Sequence, residues 1–159
     1  KELSLVLTVP GIKNPFSAIA IIAEIGVDMS VFPTAKYLCS WAGLTPQNNE
    51  SAGKKHSVRI SRAGVYIKPL LVQVSNAVAR SDKNPEIKDR YLSIKKRRGH
   101  KRAIIAIARM LLTAIYHMLS KNEPYNPNLY KKADIMPQTR DLTIEQAIAL
   151  AKSQGYRVI

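Results

Sequence analysis

The stretch from Asn48 to Lys68, NNESAGKKHSVRISRAGVYIK, limits the fold of this chain more than any other. Too little of it is apolar to enter a core, so it must lie on the surface between blocks that can pack. It carries no acid after Glu50. Ser51-Ala52-Gly53-Lys54-Lys55 reads as a flexible turn that holds a hydroxyl beside cations suited to a phosphate. Two further hydroxyls, Ser57 and Ser61, accompany Arg59 and Arg62. Such a segment is a surface suited to a polyanion, with a candidate nucleophile in it.

Charge gives the second constraint. The net charge of +14 is clustered, with +5 on residues 51–68 and +8 on residues 88–109, so the remainder is nearly neutral. A surface basic only for solubility would scatter its cations. Clusters favour a nucleic-acid partner, through phosphate neutralisation and counterion release. Neither cluster has an apolar face with interfacial Trp or Phe, which argues against a membrane surface. No apolar run is expected to span a membrane and no signal peptide is visible, so the expected location is cytoplasmic. A single cysteine, Cys39, excludes an internal disulfide and a cysteine-rich metal site. With 159 residues, 46% of them hydrophobic, the chain suits one packed domain of ordinary size with a tail.

Apolar spacing predicts helices throughout. Phe16–Ile25 repeats Ala18, Ile21, Ile22 and Ile25 at helical intervals and ends at Gly26. Thr34 caps a second helix to Trp41, with Ala35, Leu38 and Trp41 on one face. A basic loop over 47–64, with a short extended stretch at Val58–Ile60, leads to a helix from Val65 or Lys68 to Ala79. Leu70, Leu71, Val74 and Val78 face inward there, and Pro69 fits only in the first turn. A helix over Pro85–Lys96 and the knot KKRRGHKR precede a long helix, Lys101–Ser120, with a broad apolar stripe. The tail has a linker rich in Pro, Asn and Tyr, then a capping box at Thr143–Gln146 that opens a short helix to Ser153.

The chemistry-bearing features are few. Leu7–Ile12, followed by an alanine- and isoleucine-rich helix, resembles a helix-hairpin-helix element, whose backbone N–H groups meet DNA phosphates without reading bases. Gly11 and Lys13 are its candidate contacts; a purely structural hairpin explains the same residues. Ser51 reads either as a nucleophile or as a polar loop residue or helix N-cap, because an unassisted hydroxyl needs a base or metal nearby. No convergent carboxylate set or Cys/His pairing marks a metal site, so no cofactor is expected in this chain. Tyr66, Tyr91 and Tyr116 are alternative nucleophiles, with Tyr116 better read as core.

Four stretches in fixed order identify a family: LTVPGIKNPFSAIAIIAEIG at 7–26, FPTAKYLCSWAGLTP at 32–46, NNESAGKKHSVRISRAG at 48–64 and KKRRGHKRAIIAIARMLLTAIYHML at 95–119. Together they resemble the C-terminal transposase domain of the DEDD insertion-sequence transposases, a group that is related to the Piv-type DNA invertases and itself includes the bridge-RNA-guided recombinases. The resemblance covers residues 3–127, so an all-α domain is expected there, with a tail over 128–159. The resemblance implies an N-terminal RuvC-like domain with four acidic ligands for Mg²⁺. It also implies a serine that acts with that metal in cutting and rejoining DNA through a transient phosphoserine. That serine maps onto Ser51. Lys13 stands where the family usually has glycine, and Val65 where it often has Asn.

On this reading the chain is a fragment that binds DNA and transfers no strands without the acidic domain. Lys54, Lys55, Arg59 and Arg62 are expected to hold phosphates around the scissile position. Lys95, Lys96, Arg97, Arg98, Lys101 and Arg102 are expected to grip flanking backbone. The implied partners are DNA, a guide RNA in some members, and further copies in a homo-oligomer of the full-length protein. The competing expectation is a non-catalytic helical nucleic-acid binding module in which Ser51 has no special role.

Overall fold

The computed structural model describes residues 1–46, 49–51, 54–57 and 60–130, with the backbone alone at 49–51, 54–57 and 129–130. The chain divides into two units, Lys1–Pro127 and Asn128–Ile159. The first is helical: α1 (Glu2–Val6), α2 (Pro15–Ile25), α3 (Ala35–Trp41), α4 (Ile67–Arg80), α5 (Pro85–Arg98) and α6 (His100–Lys121). A 3-10 turn, Met29–Val31, joins α2 to α3, and another spans Pro127–Tyr130. Between α3 and α4, β1 (Asn49–Ser51) and β2 (Lys54–Ser57) form an antiparallel pair. The tail helix expected over Thr143–Ser153 and the extended stretch at Val58–Arg59 lie outside the described residues.

The core forms around α6, which packs against α3, α4 and α5. Its stripe of Ala103, Ile104, Ile107, Ala108, Leu111, Leu112, Ile115 and Met118 is buried. Each fully buried Leu or Ile there contributes about 1.5–3 kcal/mol. Contrary to the sequence expectation, α6 is long and apolar enough by composition to cross a membrane. That stripe is covered by the neighbouring helices α3, α4 and α5. Leu71, Val74 and Val78 of α4 and Ile87 and Tyr91 of α5 are buried as well. Among the described residues one polar side chain is fully buried, Ser75, whose hydroxyl donates to the Leu71 carbonyl at 2.7 Å.

Local signals explain the helix ends. The Asn14 side chain accepts from Phe16 N at 2.9 Å, and Pro15 occupies the first position of α2. Pro69 lies in the first turn of α4, where its missing N–H has no helical partner to lose.

Helix α3 departs from its expected face. Leu38 and Cys39 are buried, whereas Trp41 is 44% exposed and rests against Phe32 with ring centroids 5.8 Å apart. The Cys39 thiol lies 3.5 Å from Thr113 Oγ1 on α6, a contact that suits a small side chain. An indole at that position would force the two helices apart. Leu70 and Ile22, both expected inward, are half-buried at the rim. Tyr116 is also half-buried, and its hydroxyl donates to the Phe32 carbonyl at 3.0 Å.

Candidate functional site

The segment expected as a loop contains a hairpin. Ser51 pairs with Lys54, Glu50 with Lys55 and Asn49 with Ser57, with a bulge between Asn49 and Glu50. Ser51 is therefore the last residue of β1, directly across from the first cation of β2. Arg59 lies outside the described residues, and Arg62 is exposed on the turn that follows the arm.

The base of the arm is fixed to the helical body by three features. Pro46 and Ile60 form an isolated antiparallel bridge. Gly43 and Gly64, at φ +66° and +68°, let two chain segments cross in close contact. A Cβ on Gly64 would lie 2.2 Å from the Ala42 carbonyl oxygen, and one on Gly43 would lie 2.5 Å from that of Ala63. Lys68, from the first turn of α4, donates its ammonium to the Ser61 carbonyl at 2.6 Å. Desolvation on burial holds that ammonium below the ordinary lysine range. The sequence reading counted Lys68 as a charge and as an alternative helix start, and its spacing from Ser61 carries no signal of the latch. The Ser61 hydroxyl in turn accepts from Ala63 N at 3.3 Å.

The second basic region is the corner between α5 and α6. Lys95, Lys96, Arg97 and Arg98 occupy the last turn of α5, and Lys101 and Arg102 the first turn of α6, with Gly99 between. All six are exposed. Among the described residues the only ion pairs are Lys88–Asp82 and the terminal amine with Glu2, so this corner carries six cations with no carboxylate. Cations at the C-terminus of α5 complement its dipole, but Lys101 and Arg102 sit at the positive end of α6. No side chain caps α6, and its first turn therefore presents open N–H groups together with two cations. This arrangement is unfavourable alone and favourable against an anion.

Packing beneath the corner fixes its geometry. Tyr91 is 8% exposed, and its hydroxyl lies 2.9 Å from His100 Nδ1, joining the two helices across the bend. The Lys95 ammonium sits 5.6 Å from the Tyr91 ring centroid, within cation–π range. Sequence reading weighed Tyr91 as a nucleophile; its burial and its bond to His100 give it a structural part.

The turn between α1 and α2 places Lys13 in solvent. Gly11 is needed there for close approach: at φ +86°, a Cβ would meet Val78 Cγ2 of α4 at 2.4 Å. Its backbone thus serves the packing of the turn onto α4.

Ser51, Lys54 and Lys55 share the hairpin, the Lys95–Arg102 set shares the corner, and Gly11 and Lys13 sit on a third element. Among the described residues no three His, Cys, Asp or Glu side chains converge as metal ligands.

Comparison with known proteins agrees with the expected family. Residues 3–92, more than half of the chain, match the family described as Transposase IS116/IS110/IS902. The transposase for insertion sequence element IS1111A of Coxiella burnetii (strain RSA 493 / Nine Mile phase I) is 30% identical over 123 residues, 76% of this chain and 33% of that protein. The pilin gene-inverting protein of Moraxella bovis is 30% identical over 138 residues, 80% of this chain and 40% of that protein. Its counterpart in Moraxella lacunata is 30% identical over 139 residues, with the same coverage of each chain. The chain thus spans between about a third and two fifths of these relatives. No solved structure matches it. Sharing the family's sequence pattern over its first helices and the serine-bearing hairpin, this chain belongs to the IS116/IS110/IS902 transposase family.

Proposed function

We propose that this chain is the DNA-clamping, serine-supplying domain of a cytoplasmic transposase that cuts and rejoins DNA together with a RuvC-like domain. The observation that carries the reading is the hairpin: Ser51 ends β1 directly across from Lys54, on an arm whose base is latched to the helical body. The corner of six cations, none of them in an ion pair with another described residue, supports it, because a surface of that charge is stabilised by a polyanion. Relatives named as a transposase and as gene-inverting proteins point the same way.

In this mechanism the corner and Lys13 neutralise backbone phosphates, while Lys54, Lys55, Arg59 and Arg62 surround the scissile phosphate. Ser51 Oγ forms a bond to phosphorus as the bond to the departing sugar oxygen breaks. The serine proton leaves to a base of the partner domain, and the sugar oxygen takes up a proton. Attack by the hydroxyl of another strand then releases Ser51 and joins the new ends. Cations around the phosphate offset the charge that develops on its oxygens. In this scheme the acidic ligands of the RuvC-like domain would hold Mg²⁺. A guide RNA and a homo-oligomer of the full-length protein are compatible with this scheme.

The test is covalent capture in the full-length protein with Mg²⁺, labelled element-end DNA and its guide RNA where one is used. A denaturation-resistant adduct is expected with wild type and lost in Ser51→Ala. DNA binding by both proteins without any adduct would overturn the nucleophile assignment and leave a non-catalytic clamp.

A further inference from the structure

Two large apolar side chains stand in solvent beside the base of the hairpin. Val65 is 69% exposed and Tyr66 is 74% exposed. Tyr66 makes no hydrogen bond or ring contact with any described residue, whereas Tyr91 and Tyr116 each place their hydroxyl on a partner. Yet the backbone that carries the pair is held on both sides. Gly64 before it is pressed against Ala42, and Ile67 after it is completely buried as the first residue of α4. Lys68 fixes the same segment to Ser61.

An exposed aromatic on a clamped backbone loses little entropy when a flat partner covers it. The surrounding charge specifies that partner. Arg62, exposed, precedes the pair by a few residues, and the hairpin adds Lys54 and Lys55 without an intervening acid. A polyanion held by its backbone at these cations presents flat, apolar faces only where its bases are unstacked. We propose that Tyr66, with Val65 packed beside it, stacks on an unpaired nucleobase of the DNA whose backbone Arg62 and the hairpin hold. This rests on the DNA-binding reading above and deepens it. Strand exchange requires opened duplex, and Tyr66 would recognise that state without reading sequence, since every base has a stacking face.

The experiment uses the 159-residue chain and two probes: a fully paired duplex, and the same duplex with a short unpaired bubble carrying 2-aminopurine. Wild type is expected to prefer the bubble by about tenfold and to quench the 2-aminopurine. Tyr66→Ala should lose both effects while it keeps its affinity for paired duplex and its salt dependence. Tyr66→Phe and Tyr66→Trp should retain the preference, because stacking needs a ring and no hydroxyl. The proposal is overturned if wild type binds both probes equally, if Tyr66→Ala keeps the preference, or if that variant loses paired duplex as well. Failure of wild type to bind either probe would instead remove the DNA-binding reading, and this inference with it.

Discussion

The two basic regions differ in what supports them. The corner cations ride on helices whose opposite faces are buried through Ile87, Tyr91, Ala103 and Ile104. The hairpin strands, NES and KKHS, contain no aliphatic or aromatic residue other than His56 and so bring no core of their own. Their attachment is at the base, through one bridge, one backbone crossing and one lysine-to-carbonyl hydrogen bond. A surface that only neutralises phosphate is best held by a rigid core. Under the proposed function the Ser51 hydroxyl would meet a phosphorus presented with another domain, and an arm with a fixed base suits that task.

The largest expected effect that sharpens this contrast comes from Gly64→Ala. Strain at positive φ together with the clash against the Ala42 carbonyl should cost about 2 kcal/mol or more in urea unfolding. Proteolysis at Lys54 and Lys55 should accelerate while Lys95–Arg98 stays protected as in wild type. Equal acceleration at both regions would break the distinction. Tyr91→Phe is the converse, at about 1 kcal/mol, because it removes the bond to His100. It should loosen the corner and leave cleavage of the hairpin unchanged.

Charge neutralisation asks whether the two regions do the same work. Lys96→Gln and Lys54→Gln should each shallow the slope of log affinity against log salt by about 0.9, with little change in sequence preference. A region whose variant leaves the slope untouched is not a phosphate contact. The smallest effect is expected from the latch. The folded-state pKa of Lys68 is lowered, so between that value and the ordinary unfolded value of about 10.4 the unfolded chain binds more protons. Stability from this group therefore rises as pH climbs through that window, and Lys68→Met should flatten the rise in denaturation curves.

Much of the helical body was legible because periodicity reports burial directly. Ala18, Ile21 and Ile25, then Leu71, Val74 and Val78, and the stripe of α6 all face inward as their spacing requires. Asn14, Pro15 and Pro69 mark helix starts through backbone chemistry that acts within one turn. Helix α3 shows where this fails. In seven residues, Trp41 and Cys39 both fall at plausible inward positions, and only the space against Thr113 of α6 selects the smaller one. The hairpin was missed because its strands have no apolar alternation to betray a period of two.

For the candidate site, sequence alone determined which residue types are present and how they cluster: Ser51 next to Ala52-Gly53, cations without acids, and a second basic knot between two helices. These are one-dimensional properties, fixed by covalent order. Tertiary structure alone decided that Ser51 faces Lys54 across a β pair, that Gly64 crosses Gly43, and that Lys68 and Tyr91 serve as supports. Each of those depends on contact between segments distant in the chain or on a backbone conformation that no local pattern specifies. The reason is physical: local propensity acts over a turn or two, whereas close approach and desolvation exist only once the core has brought the segments together.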